Sequence, residues 1–159
     1  MNGVRHFELA DLRDAQLAVV ALCEVVRAFS ERAYKQGVLV GGTSSALAEN
    51  LPQIAAKVCT STSLRTWIFA EPVEPAFVEF CVQRQHTAGA ILLACDQGRV
   101  TLTWIDGFVS LSQLDADLTL VRRDPATVLE KAMRTAPMPK CAPESWKKAY
   151  AEACAQTAR

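Results

Sequence analysis

Apolar residues recur at helical spacing from Ala10 to about Lys35. Leu17, Val20, Cys23 or Glu24, and Ala28 fall on one side, with Val19, Leu22, Val26 and Phe29 beside them. So wide a stripe predicts a long amphipathic helix with a buried face, ended at Lys35-Gln36-Gly37, where the glycine can cap. Val38-Leu39-Val40 then reads as a short strand buried on both sides, followed by Gly41-Gly42-Thr43-Ser44-Ser45. Serines ahead of Ala46-Leu47-Ala48 can cap a helix, and Pro52 makes Asn50 an alternative start.

Thr66–Ala70 predicts a second buried strand, and Glu74-Pro75 opens a helix through about Gln85, with proline in the first turn where its missing N–H does no harm. Gly89–Ala94 and Arg99–Ile105 predict two more strands, joined at Gln97-Gly98 as an antiparallel hairpin. Asp106-Gly107 marks the next turn, and Leu118–Val121 predicts a short edge strand. Asp124-Pro125 signals a helix through about Met133, Thr135–Pro143 with its three prolines a loop, and Glu144–Thr157 a closing helix. This order predicts one three-layer α/β/α domain over residues 1–159, with a C-terminal helical segment from about 124. Its sheet is expected to be mainly parallel and mixed, of about four strands, with an antiparallel edge strand.

Composition agrees with a globular chain: of 159 residues, 50% are hydrophobic and 21% charged. Seventeen Lys and Arg balance seventeen Asp and Glu, so charge gives no reason to expect nucleic acid or an anionic membrane as partner. The opening Met-Asn-Gly-Val-Arg-His has no basic-then-apolar signal, and no apolar run approaches the ~20 residues of a membrane helix. The expectation is a cytoplasmic protein. Cys23, Cys59, Cys81, Cys95, Cys141 and Cys154 form no CxxC pair, and His6 and His86 lack metal-site spacing, so no metal or cofactor is expected.

Two stretches could carry chemistry. Gly41-Gly42-Thr43-Ser44-Ser45 lies between a strand and a helix, where backbone N–H groups can hold an anion. No lysine follows, so it is not a Walker loop. Ala94-Cys95-Asp96-Gln97-Gly98 ends a strand on the side where ligands of open α/β sheets bind. Cys95 could serve there as a nucleophile if its thiol were activated, although adjacent Asp96 opposes that, and His6 or His86 would have to be brought in by folding. Trp67 and Trp104, in predicted strands, read as core residues.

The pieces from Gly3 to about Gly107 resemble, in order, the first domain of the α-D-phosphohexomutases, the phosphoglucomutase and phosphomannomutase family. Asn2-Gly3-Val4-Arg5-His6 partly echoes that family's phosphate-contacting S-G-I-R-G, and Val40–Ser45 occupies the place of V-G-x-D-x-R. Pro72-Val73-Glu74-Pro75 matches P-T-P before a helix, and Ala88–Gly98 matches A-G-I-x-I-T-A-S-H-N-P. The resemblance implies a mutase scaffold without its reactive groups. Cys95 stands at the phosphoserine position, Asp96 at the following histidine, and Thr43 and Ser45 at the aspartate and arginine. The D-G-D-G-D-R metal loop of the family's second domain does not occur.

Phosphoryl transfer needs concentrated positive charge at the developing anion, and only Arg5 and Arg99 lie near these stretches in sequence. The resemblance therefore implies a degenerate, stand-alone domain that binds a protein partner or a second copy of itself. Two alternatives stay open: binding of a phosphosugar without turnover, through Arg5 and Gly41, Gly42, Thr43, Ser44 and Ser45, or an enzyme of another class using Cys95.

Overall fold

Val38, Leu39, Val40, Ala90 and Ile91 are each at most 1% exposed, and strands buried on both sides require helices over both faces. The structure, a computed structural model, describes residues 3–114 and 125–157. Its strands are β1 (Val4–Leu9), β2 (Val38–Gly42), β3 (Thr66–Ile68), β4 (Gly89–Asp96), β5 (Arg99–Asp106) and β6 (Lys140–Cys141). Its helices are α1 (Leu12–Phe29), α2 (Glu31–Gln36), α3 (Ser44–Ala48), α4 (Leu51–Ser61), α5 (Pro75–Gln85), α6 (Leu111–Leu114), α7 (Pro125–Thr135) and α8 (Glu144–Thr157).

The strands form one mixed sheet in the order β1-β5-β4-β2-β3-β6. Strands β4, β2, β3 and β6 run parallel, and β5 and β1 are antiparallel additions on the β4 side. Successive side chains alternate between faces. Val38, Val40, Ile91, Leu93, Leu102 and Trp104 pack with α1, α4 and α7, whereas Leu39, Phe69, Ala90, Leu92 and Ile105 pack with α5 and α8. The three-layer α/β/α architecture expected from the sequence is the one observed.

Three details depart from expectation. The long helix breaks at Ser30, whose extended backbone (φ −168°, ψ 160°) ends α1 while its hydroxyl accepts the Ala33 N–H at 3.2 Å and starts α2. Val4–Leu9 form β1, which pairs along its full length with β5. The proline-rich segment contributes β6, two residues that pair with Trp67 and Ile68. The predicted strand at Leu118–Val121 and the Asp124 cap lie outside the described residues.

Other signals acted as their chemistry requires. Pro52 and Pro75 sit in the first turns of α4 and α5, and His86 closes α5 in the left-handed region (φ 53°). Gln97 (φ 51°) and Gly98 (φ 81°) make the two-residue turn between β4 and β5. Trp104 is fully buried, and its indole N–H donates to Asp106 Oδ1 at 2.6 Å. The same oxygen accepts the Leu111 N–H at 3.2 Å, so this 6%-exposed carboxylate anchors the chain that leaves β5.

Trp104 also fixes what can precede it on the neighbouring strand. A Cβ on Gly89 would enter the indole ring and lie 2.7 Å from the Ile105 carbonyl oxygen. Gly89→Ala should therefore overpack the joint and cost roughly 3 kcal/mol. Urea denaturation should show this as a lower midpoint, and an unchanged midpoint would mean that the sheet relaxes freely there.

Candidate functional site

The carboxyl ends of β2 and β4 lie side by side, with Gly42 in register with Leu93. The strand β2 continues through Gly41 and Gly42, so the two glycines form a buried joint and not an open turn. A Cβ on Gly42 would come within 2.6 Å of the Leu93 carbonyl oxygen and 2.9 Å of Pro52, and one on Gly41 would meet Val73 and Phe69. Glycine is required there by close packing of strand, α3 and α4.

Past this joint, Thr43, Ser44 and Ser45 are exposed, but several of their polar groups already have partners within the chain. The Thr43 N–H donates to the Leu93 carbonyl at 3.0 Å. Thr43 Oγ1 accepts the Ala46 N–H at 3.3 Å as the cap of α3 and lies 3.0 Å from Ser45 Oγ. Ser45 Oγ donates to the Cys95 carbonyl at 2.7 Å. The structure thus brings Thr43, Ser45 and Cys95 together through a hydrogen-bond chain that ties the end of β4 to the start of α3. That helix is only five residues long.

Cys95 is half-buried and its side chain packs against the core shared by α1 and α4. Asp96 follows, exposed, directly opposite Arg99 in the hairpin register. Arg5 is placed elsewhere. It lies opposite Trp104, four residues along β5 from Val100, the residue that pairs with Cys95. At ~3.3 Å per residue this separates Arg5 from Cys95 by roughly 13 Å along the strands alone. Its guanidinium sits 5.0 Å over the Phe7 ring.

Neither histidine reaches Cys95. The ring of His6 bonds Thr103 through Nδ1 at 2.8 Å, on the sheet face opposite that of Cys95. His86 lies at the end of α5, just before β4 begins, at the far end of that strand. Among the described residues no three His, Cys, Asp or Glu side chains cluster as metal ligands. No helix among them is long and apolar enough to cross a membrane.

Two concavities were not foreseen from the sequence. One lies beside the end of β3, lined by Phe69, Glu71, Val73, Phe77, Pro143 and Lys147, with Lys147 ion-paired to Glu71. Its volume of about 70 Å³ is well below the several hundred typical of a ligand pocket. The other is a shallow groove of about 410 Å³ between α1, α4 and α7, lined by Arg13, Gln16, Ile54, Leu129, Met133 and Arg134. No local motif could announce it, because Arg13 and Arg134 meet only when α7 packs over α1.

No protein-family model matches the sequence, and no curated protein matches it. Among solved structures the chain is similar to the crystal structure of a protein from Thermus thermophilus described as a phosphomannomutase, with TM-score 0.52 and 16% identity. The match covers 88% of this chain and 31% of that one, so this chain spans about a third of that protein's length. The likeness is one of fold, and a distant one.

The thiols separate by environment. Burial pushes the Cys81 thiol up to about 12. The bond between the buried Cys59 and Cys23 thiols, 3.3 Å apart, together with burial, raises Cys59 well above its ordinary value. Cys141 and Cys154 are exposed. Timed alkylation at neutral pH should label Cys141 and Cys154 first, Cys95 no faster than these, and Cys23, Cys59 and Cys81 only on unfolding. Fast, selective labelling of Cys95 would instead identify an activated nucleophile.

Proposed function

We propose that the chain is a phosphohexomutase-domain-like module that acts by binding protein and carries out no phosphoryl transfer. One observation supports this reading above the others: the polar groups at the ends of β2 and β4 serve the fold. Thr43 caps α3, Ser45 holds the Cys95 carbonyl, and Gly41 and Gly42 are packed joints. Asp96 places a carboxylate where the resemblance expects a histidine beside a phosphorylated serine, and a carboxylate repels phosphate. Arg5, the cation that the sequence pattern associates with this site, lies at the opposite end of the strands.

A second reading, binding of an anionic sugar without turnover, is favoured by the groove that Arg13 and Arg134 line. Two arginines facing one groove of a few hundred Å³ can clamp a phosphate. Glu130, which also lines it, weakens that field.

Calorimetric titration with glucose 1,6-bisphosphate and glucose 6-phosphate, with magnesium present, separates the two. The module reading expects no saturable heat at millimolar sugar phosphate. Saturable binding at micromolar levels contradicts it, and loss of that binding in Arg13→Ala and Arg134→Ala would establish the second reading.

A further inference from the structure

The edge strand β1 leaves a row of backbone groups without a partner among the described residues. Among the described residues it is the terminal strand of the sheet and pairs only with β5. The Asp106 N–H donates to the Gly3 carbonyl at 2.8 Å, so Gly3 and Asp106 form a hydrogen-bonded pair. Such pairs alternate along an antiparallel ladder. Arg5, Phe7 and Leu9 therefore direct their N–H and C=O groups toward β5, and Val4, His6 and Glu8 direct theirs outward.

Edge strands of monomeric proteins are usually blunted by proline, a bulge, extreme shortness, charged side chains, lysine above all, or a covering helix or loop. Strand β1 runs six residues in unbroken register with β5 and has no proline, glycine or lysine. Its side chains are not neutral in this respect, since Arg5, His6 and Glu8 must be accommodated by whatever pairs there. That requirement selects the partner and its register.

From this edge we infer that the chain self-associates, two copies pairing antiparallel through β1 about a two-fold axis that passes through Phe7. This rests on the reading that the chain acts through protein contacts, and it names the contact. A two-fold that pairs antiparallel edge strands into one sheet stands perpendicular to that sheet and keeps each face continuous. Residues directly opposite must then share a face, which requires the axis to pass through a residue and not between two. An axis through Arg5 or Glu8 sets that charge against its own copy, which is destabilising, and an axis through His6 sets Glu8 opposite the apolar Val4. An axis through Val4 or Leu9 leaves too short a ladder.

Only the axis through Phe7 sets a base opposite an acid, and it does so twice. His6 of each copy faces Glu8 of the other on one side of the sheet. On the other side Phe7 meets Phe7, and Arg5 lies beside Leu9. The His6 ring is already held by Thr103 through Nδ1, and Glu8 accepts from Thr101 Oγ1 at 3.2 Å. Both side chains are therefore held on that face by the neighbouring strand β5, and Nε2 of His6 has no partner among the described residues. The outward N–H and C=O groups of His6 and Glu8 supply the new ladder.

Sedimentation velocity on the full chain, from low to high micromolar concentration, tests this. The wild type should form a concentration-dependent dimer. His6→Glu, which sets two carboxylates opposite each other twice, should weaken association roughly tenfold. The double variant His6→Glu/Glu8→Lys restores unlike pairs and should recover it. His6→Pro removes an outward N–H without touching the β5 ladder and should give a monomer with an unchanged circular dichroism spectrum. If His6→Pro does not fold, the charge variants still decide. A wild type that is monomeric throughout, or a dimer indifferent to the charge reversal and its repair, overturns the inference. Sugar-phosphate binding would overturn the module reading alone and leave the sedimentation result standing.

Discussion

A strand buried on both faces can be held only between two layers of helix, and β2 and β4 impose that constraint on the rest of the molecule. Their alternation assigns Val38, Val40, Ile91 and Leu93 to one core and Leu39, Ala90 and Leu92 to the other. A one-residue slip would exchange the two sets, so the register is tightly specified. Helices α1, α4 and α7 must then lie on one side and α5 and α8 on the other. Where layers approach closely, residue size is set by the gap: Gly42 between β4 and α4, Gly89 against Trp104.

The same constraint shapes the ends of β2 and β4. Helix α3 follows β2 after a single residue, and that connection is fixed by the Thr43 cap and by Ser45 bonded to the Cys95 carbonyl. Polar atoms that could meet a ligand in a wider crevice here join adjacent elements. The chain shares a distant likeness in fold with a structure described as a phosphomannomutase, and at these strand ends the uncharged Thr43 and Ser45 lie beside Cys95. Among the described residues, the outer edge of β1 has no strand partner.

Much of this was legible in the chain. The central strands announced themselves as short apolar runs, Pro52 and Pro75 marked first turns, and Gln97-Gly98 gave the hairpin. The break at Ser30 was hidden because the apolar stripe runs past it, and a single serine with extended backbone outweighed continuous periodicity. Strand β1 was obscured because Val-Arg-His-Phe-Glu-Leu alternates imperfectly and takes its shape from pairing with β5. Strand β6 owes its existence to two residues meeting β3, a contact that no local pattern encodes. At the candidate site, sequence order placed Thr43, Ser45 and Cys95 in the right neighbourhood. It could not show that Arg5 sits on β1 at the far end, since nearness in sequence to a motif says nothing about the ladder between them.

Hydrogen exchange of individual backbone amides tests the central claim most directly, that polar groups at the strand ends serve the fold while those of β1 await a partner chain. The Thr43 and Ala46 amides should be protected at every protein concentration, as should those of Arg5, Phe7 and Leu9, which face β5. The His6 and Glu8 amides should gain protection as concentration rises. Freely exchanging Thr43 and Ala46, or His6 and Glu8 amides whose exchange is the same at all concentrations, would contradict the account.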